Sequence, residues 1–219
     1  MDALVEPETR SVEIAGRLRD DIVAGVLPFG GRLTLGQLEA RYACGQMPIR
    51  EALRQLQGEG LVELVPNRGA RVRNIHPDFV GNLFDVRIAI EAMLTRRAAE
   101  KVRPSDLVEL EEASARFDAA VTGSDLSGML AANRAFHAVI NRVADNAEAT
   151  EILRRNEQLI TALWMRHGYG VDRMAEAAAD HRHIVAALRS GDSDVAAWLA
   201  SAHAAKAKLD LVRRMSESR

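Results

Sequence analysis

Cysteine and long apolar runs are scarce in this sequence, and each shortage excludes a class of protein. Cys44 is the single cysteine among 219 residues, which excludes an internal disulfide and a multi-cysteine zinc cluster. No apolar run approaches the ~20 residues that a membrane-spanning helix needs, and the N-terminus lacks a basic-then-apolar export signal. These absences predict a cytoplasmic protein without membrane contact.

An excess of charge of one sign is also lacking. The 29 basic residues nearly balance the 31 acidic ones, so the net charge of −2 favours no particular partner. The distribution is uneven, however, because six arginines accompany three acids between Arg41 and Arg73. On charge alone this segment is typical of a solvated face, so a polyanion site needs a more specific signal.

The first 74 residues carry the pattern of a small domain. Residues 1–10 contain three acids and a proline without apolar periodicity, which predicts a flexible tail. From Ser11 the apolar spacing predicts one helix, then two short helices joined by a tight turn. Two predicted strands flank the turn from Pro66 to Gly69. This order predicts a winged helix-turn-helix domain at residues 11–74 and a linker at residues 75–78.

The remaining chain lacks strand signals and is divided by helix stops. Its amphipathic segments predict helices at residues 78–102, 104–121, 125–144, 147–167, 172–190 and 192–215. Amphipathic helices with short connections pack as antiparallel bundles. The predicted fold is therefore mainly α, with an N-terminal winged helix-turn-helix followed by an antiparallel all-α bundle of six or seven helices at residues 79–215.

The winged helix-turn-helix plan suggests DNA as a ligand, because its second helix can enter the major groove. Arg50 is suited to pair with a guanine and Gln46 with an adenine, whereas Arg41 and Arg54 are suited to phosphates. Arg68, at the hairpin tip, can approach the backbone or the minor groove. The candidate DNA-binding residues are Arg41, Gln46, Met47, Arg50, Arg54 and Arg68.

Polar residues interrupt three apolar stripes of the predicted bundle. Asn133 and His137 share a stripe with Leu130 and Ile140, His181 shares one with Ile184 and Leu188, and His203 lies between Leu199 and Ala207. Each histidine alone is more typical of a hydrogen-bonded core residue. As a set, Asn133, His137, His181 and His203 favour a divalent metal: zinc, nickel, iron or manganese.

Arg87 also points toward apolar surroundings, because it shares a stripe with Leu83, Ile90 and Leu94. A buried guanidinium needs an anion. Glu91, one turn further along the helix, is a structural partner, and the carboxylate of a ligand is a functional one. The spacing alone favours the two partners equally.

Several motifs give the chain a family resemblance. They are Gly30-Gly31-Arg32-Leu33, Pro48-Ile49-Arg50-Glu51-Ala52-Leu53-Arg54-Gln55-Leu56, Glu59-Gly60-Leu61-Val62 and Asn67-Arg68-Gly69-Ala70-Arg71-Val72. They resemble the DNA-binding domain of the GntR family of bacterial repressors. Gly45-Gln46-Met47 stands where Ser-Arg-Thr is common in that family, which predicts an unusual operator.

The helical part resembles the FCD effector domain of the FadR-like GntR subfamily. The resemblance rests on Asp85-Val86-Arg87 with Glu91, Asn133-x-x-Phe136-His137, Asn146, Asp180-His181, and Gly191-Asp192 followed by His203. It implies a metal held by Asn133 and the three histidines, with Asn in place of the commoner Asp. It also implies a small organic acid as effector, such as a sugar acid, a dicarboxylate or a hydroxy acid, bound by Arg87.

These observations predict a homodimeric transcription regulator and repressor that binds a double-stranded DNA operator and responds to a small carboxylate at a metal site. Two other hypotheses stay open. In a metal-free regulator the polar core residues would bond to one another or to water. A metal-dependent enzyme would need a base for proton transfer, and Asp180 is the one carboxylate beside a predicted ligand.

Overall fold

The computed structural model describes residues 7–66 and 68–217, and it confirms the predicted mainly α fold with a small winged sheet. The three short strands are β1 (Arg32–Leu33), β2 (Val62–Val65) and β3 (Gly69–Val72). The helices are α1 (Pro7–Val23), α2 (Leu35–Tyr42), α3 (Gln46–Gly58), α4 (Pro77–Ala99), α5 (Pro104–Thr122), α6 (Leu126–Ala144), α7 (Ala147–Arg155), α8 (Glu157–His167), α9 (Val171–Ser190) and α10 (Ser193–Glu217). None of these helices is long and apolar enough to span a membrane.

The first helix begins earlier than the apolar period indicates. We predict a tail up to residue 10 and a helix from Ser11, whereas α1 begins at Pro7. Proline fits the first turn of a helix, because that turn leaves its backbone N–H groups without intrahelical partners and the ring fixes a helical φ. The earlier part of the predicted tail, residues 1–6, lies outside the described residues.

Local chemistry defines the helix-turn-helix. Thr34 caps α2 by a capping box with Gln37, in which each side chain accepts from the other residue's backbone N–H. Ala43 ends α2 in the left-handed region, and Gly45 precedes α3. The apolar residues Ile49, Leu53 and Leu56 of α3 are buried, so the opposite face of this helix is exposed.

The wing is an antiparallel sheet in the order β1-β3-β2. Glu63 pairs with Arg71 in the β2–β3 register, and Arg32 pairs with the same Arg71 in the β1–β3 register. Gly69 has a φ of +97°, which a side chain rarely adopts. The sequence patterns did not predict β1, because two residues are too few for an alternation to be visible.

The helical part follows the predicted segments except at residues 147–167. The single helix that we predict there is wrong, since α7 ends at Arg155 and α8 begins at Glu157. Neither proline nor glycine marks the break, so sequence punctuation gives no signal for it. The backbone carbonyl oxygen of Asn156, between the two helices, accepts from the backbone N–H of Ile160.

The chain divides into two compact units, and α8 belongs to the first. Residues 1–75 and 155–166 form one unit, and residues 76–154 and 167–219 form the other. Our prediction assigned all of residues 79–215 to one helical domain. In the first unit, Nη1 of Arg166 donates to the carbonyl oxygen of Val23 at 2.8 Å, and the guanidinium lies 5.5 Å from the ring centroid of Phe29. The second unit has its own apolar core, which includes Leu94, Phe136 and Ile184.

Candidate metal centre and DNA-binding surface

Three histidines from three helices meet inside the second unit. His137 lies on α6, His181 on α9 and His203 on α10, and each offers a ring nitrogen within 4.8 Å of those of the other two. Their ring centroids are 5.0 to 5.9 Å apart. His181 and His203 are buried, whereas His137 is partly buried. This spacing suits a common metal ion, because three imidazole nitrogens can converge on one point.

The predicted fourth ligand lies at the same point. Asn133 is one turn before His137 on α6, and its Oδ1 is 3.1 Å from Nε2 of His181. With an amide oxygen as acceptor, Nε2–H of His181 is the donor, and the lone pair then lies on Nδ1. That Nδ1 is buried and has no hydrogen-bond partner among the described residues. For Asn133 and His181 to hold a common ion, the ring proton would move to Nδ1, so that the Nε2 lone pair and Oδ1, which are 3.1 Å apart, both face the ion.

Burial keeps two of these imidazoles neutral. It lowers the pKa of His137 to about 4, with a further contribution from His203. Burial also lowers the pKa of His181 well below its ordinary value. The His181 ring is stacked on Phe136 at 4.2 Å and meets the edge of Phe117 at 4.7 Å, between ring centroids. A neutral, immobile imidazole is a prepared metal ligand.

A carboxylate orients the third histidine. Oδ2 of Asp180 is 3.3 Å from Nδ1 of His203, and Asp180 also accepts from Lys206 Nζ at 2.7 Å and from Arg173 Nη1 at 3.1 Å. Burial raises the pKa of Asp180, but the hydrogen bonds from His203 and Lys206 and the charge of Arg173 lower it more, so the pKa lies below its usual range. Nη2 of Arg173 is also 3.3 Å from Nδ1 of His203. In the tautomer with the proton on Nδ1, the ionised Asp180 accepts that proton, and the Nε2 lone pair is left for a ligand.

Arg87 has a partner within its own helix. Its Nη2 donates to Oε1 of Glu91 at 2.6 Å, and its Nη1 donates to the carbonyl oxygen of Leu153 at 3.4 Å. Burial raises the pKa of Glu91, but Arg87, His137 and His203 together lower it by more. The net pKa lies below the ordinary value, so the carboxylate is charged. Of the two partners that the spacing allows for Arg87, the structure contains Glu91. An effector carboxylate would compete with Glu91 for this guanidinium.

Sequence reasoning missed two polar residues of the second unit, Arg173, which contacts His203, and Tyr169. Arg173 is 5% exposed, and its Nη2 donates to the carbonyl oxygen of His203 at 3.0 Å. It shares a stripe of α9 with Ala177 and Ile184, so its spacing could have revealed it. Tyr169 lies between two glycines in a loop, where no periodicity exists; burial raises its pKa to about 12.

The exposed face of α3 carries the predicted base-reading residues. Gln46, Met47, Arg50 and Arg54 are all exposed, and Met47 retains 66% of its surface. Arg68 is exposed at the turn of the wing, next to Asn67, which lies outside the described residues. An exposed helix face beside a wing has the form of a major-groove reader.

Ion pairs distinguish these arginines from one another. Arg41 donates to Asp21 at 2.7 Å, and Arg54 pairs with Glu51 on its own helix. Arg50 has no ion pair or side-chain hydrogen bond within residues 7–66 and 68–217, so its guanidinium is available to a base. Sequence reasoning did not single out the exposed Arg32 and Arg71, which strand pairing places opposite each other.

Comparison with known proteins identifies both halves of the chain. The family described as "Bacterial regulatory proteins, gntR family" matches residues 10–72, and the FCD domain matches residues 82–206. A probable D-xylose utilization operon transcriptional repressor of Paenarthrobacter nicotinovorans is 30% identical over 213 residues, which cover 94% of this chain and 91% of that protein. The chain is a GntR-family transcriptional regulator with an FCD domain.

Other relatives of this GntR regulator are consistent with that membership. The repressor RspR of Escherichia coli is 27% identical over 203 residues, covering 81% of this chain and 89% of the relative. The solved structure of E. coli McbR/YncC has a TM-score of 0.72 at 18% identity, covering 96% of this chain and 99% of that one. A putative GntR regulator of Rhodococcus sp. RHA1 has a TM-score of 0.68 at 22% identity, covering 94% and 98%. At these identities the two solved structures support the fold.

Family membership assigns a general task to each half of the GntR regulator. The GntR helix-turn-helix binds DNA, and the FCD domain binds a small-molecule effector. The relatives are transcriptional regulators and not enzymes, so the enzyme hypothesis is discarded. FCD domains often bind metal, and the three-histidine cluster lies inside the FCD match.

Proposed function

We propose that this regulator is a repressor that reads its operator through α3 and releases or tightens that contact when a small organic acid binds beside a metal ion in the FCD domain. The observation that carries the sensing half is the convergence of three histidine nitrogens within 4.8 Å. The reading half is supported by the exposed face of α3, where Gln46, Met47 and Arg50 lie.

In the proposed complex, α3 lies in the major groove and each exposed residue has its own task. Arg50 forms paired hydrogen bonds with a guanine, and Gln46 contacts an adenine, while Met47 packs against base edges. Arg41 and Arg54 contact phosphates after exchanging their ion pairs with Asp21 and Glu51, and Arg68 contacts the backbone from the wing. A homodimer would present two such heads to a palindromic operator.

The substitution R50A tests the reading half. Loss of a bidentate base contact weakens operator binding by about 10- to 100-fold and relaxes specificity at one base pair. The matched control is R116A, on the exposed surface of α5, which leaves operator affinity unchanged. Binding is measured by fluorescence anisotropy at fixed salt with DNA selected from the gene's own promoter region. Failure of the wild type to select any DNA contradicts the proposal.

His137, His181 and His203, with Asn133, are the residues that would hold a divalent ion: zinc, nickel, iron or manganese. Such an ion supplies a Lewis-acid position for an oxygen atom of the effector. Asn133 adds no charge to the site, which weakens its attraction for a cation relative to an aspartate. Asp180 offsets part of this loss of metal affinity, because its hydrogen bond to Nδ1 orients the His203 ring.

Arg87 is the proposed partner of the effector carboxylate. Its guanidinium would exchange Glu91 for the effector in a bidentate contact. The exchange frees the buried carboxylate of Glu91, whose charge then has to find another partner. Effector binding thus changes the charge pairs along α4, which is a difference between two states that an effector can select. The relative from Paenarthrobacter is named for D-xylose utilization, which supports a sugar-derived acid as the class to test first.

A metal-free regulator is the second candidate, and one observation favours it. His181 and Asn133 already bond to each other, and Arg87 already bonds to Glu91. Metal analysis of purified H181A and H183A distinguishes the two candidates. His183 is exposed on the same helix, so H183A keeps one metal ion per chain, whereas H181A loses it. Equal metal content in both variants would exclude the histidine site.

A further inference from the structure

The wing has a buried face and a solvent face, because side chains alternate along its strands. Ala70 and Val72 of β3 are buried, and Arg71 between them is exposed. Arg32 of β1 and Glu63 of β2 are the cross-strand partners of Arg71, and both are exposed as well. The solvent face therefore carries a row of three charged side chains, in the order Arg32, Arg71, Glu63.

Two like charges are neighbours in this row. The strand register sets Arg32 directly opposite Arg71. Next to this pair the backbone N–H of Val72 donates to the carbonyl oxygen of Gly31 at 2.8 Å, so the two strands are hydrogen-bonded at this point. Side chains that are opposite each other begin about 5 Å apart, and like charges in such a pair destabilise a sheet. An anion held between the two guanidiniums would remove the repulsion.

The described residues do not supply that anion. Neither Arg32 nor Arg71 has an ion pair or a side-chain hydrogen bond within residues 7–66 and 68–217. The acid of the row is engaged elsewhere, because Oε1 of Glu63 lies 3.8 Å from Nε of Arg73. The pair of Arg32 and Arg71 thus keeps its two positive charges exposed to solvent.

The position of the pair favours a DNA phosphate as the anion. Arg68, the proposed backbone contact at the turn of the wing, is three residues before Arg71, and three residues of extended chain span about 10 Å. Both residues can therefore reach the same stretch of a DNA backbone. An open sheet face with two guanidiniums suits a phosphodiester, whose oxygens match the arginine fork, better than a small ligand that has to be enclosed.

We propose that Arg32 and Arg71 form a phosphate clamp, in which the two guanidiniums bind one phosphate of the DNA from both sides. The inference rests on the proposed function, since it requires that the first unit binds DNA. A phosphate contact positions the wing and carries no base information, so the clamp contributes equally to binding of operator and of unrelated DNA. It also contributes salt dependence, because each neutralised phosphate releases counterions.

The salt dependence of DNA binding by the R32A/R71A variant tests the clamp. Loss of one phosphate contact weakens binding by about 3- to 10-fold at physiological salt and lowers the slope of log K against log salt by about 0.9, alike for operator and scrambled DNA. The control is R116A, on the exposed surface of α5, which leaves affinity and slope unchanged. A double variant that binds like R116A overturns the clamp. A slope lowered by about twice 0.9 indicates two separate phosphates and overturns the shared site.

Thermal unfolding without DNA separates the clamp from a structural role of the pair. Removal of one charge relieves the repulsion, so R71A melts at the temperature of the wild type or above it. A lower melting temperature with an unchanged salt slope assigns the pair to folding and overturns the clamp. Inorganic phosphate at constant ionic strength is the second probe. If it stabilises the wild type but not R32A/R71A, and the double variant keeps its operator affinity, the site binds a free anion and the DNA assignment is overturned.

Neutral methylphosphonate linkages, placed singly along the operator, locate the phosphate. One position in each half of the operator weakens wild-type binding by the same factor as the double substitution, and the same linkage leaves R32A/R71A unaffected. A wild type that binds its operator but has no such position overturns the clamp alone. A wild type that selects no DNA overturns the proposed function as well.

Discussion

At the scale of single residues, charge pairing separates groups that look alike in the sequence. Arg41, Arg54 and Arg87 have carboxylate partners, whereas Arg50 has none among the described residues. Only an arginine without a partner can bind a base without first losing an ion pair. Asp180 shows the same principle for histidine, because a carboxylate 3.3 Å from Nδ1 of His203 favours the tautomer in which Nε2 is free to bind a ligand.

We expect D180N to weaken metal binding by about 10- to 100-fold, because an amide does not hold the Nδ1 proton of His203 as a carboxylate does. The measurement is competition with a chromophoric chelator, using cobalt or nickel so that the ligand-field spectrum reports the geometry. Zinc content alone would not distinguish a weakened site from a distorted one.

The control for this prediction is D210N. Asp210 is another buried aspartate of the second unit; it accepts from Gly170 and two arginines, and from no histidine in the part of the chain that the structure describes. D210N should lower the melting temperature without changing the metal dissociation constant. Equal losses of metal affinity in D180N and D210N would mean that Asp180 acts through general stability and not through His203.

At the scale of elements, short segments depend on backbone conformation more than on apolar pattern. The wing turns at Gly69, where a Cβ would lie 2.1 Å from the carbonyl oxygen of Leu33. The two strands β1 and β3 approach each other closely at this point because glycine has no side chain. The break between α7 and α8 is a similar local event, at Asn156.

We expect G69A to destabilise the protein by about 2 kcal/mol or more, since it adds a backbone clash to the cost of a positive φ. Urea unfolding gives the free energy, and operator binding should weaken in parallel because Arg68 loses its placement. G30A is the comparison: its φ of +76° imposes the strain, but no atom lies within 4 Å of the added Cβ. A G69A variant no less stable than G30A would contradict the clash.

At the scale of the whole molecule, one chain combines a DNA-binding unit with an effector-binding unit. The FCD match of residues 82–206 encloses α8, yet α8 belongs to the first unit. The effector domain and the DNA-binding unit are therefore connected by sequence at three points, near residues 75, 155 and 167. A change in the second unit has more than one covalent route to the first.

We expect a cognate organic acid to change the operator dissociation constant by about 5- to 150-fold, and the operator to change the acid's dissociation constant by the same factor, since coupling is reciprocal. Isothermal titration of the acid with and without operator, and of operator with and without acid, measures both sides. R87A should keep operator affinity and lose the response. An R87A variant that responds like the wild type would exclude Arg87 as the effector contact.

The sequence by itself determined the order of the helices and strands and the segments that resemble the GntR and FCD domains. Helical spacing identified the faces that carry His137, His181 and His203, because a side chain's direction on a helix follows from its position alone. The segments of the GntR and FCD resemblance likewise required only the linear pattern. The fold class and the family were accessible for this reason.

The tertiary structure alone decided which side chains meet. Arg87 pairs at 2.6 Å with Glu91, one turn along its own helix, as the spacing allowed, whereas its contact with the carbonyl oxygen of Leu153 comes from packing. The proximity of Asp180 to His203, the burial of Arg173 and the assignment of α8 to the first unit involve residues distant in sequence. Distances between helices depend on how their side chains interdigitate, and no local pattern encodes that packing.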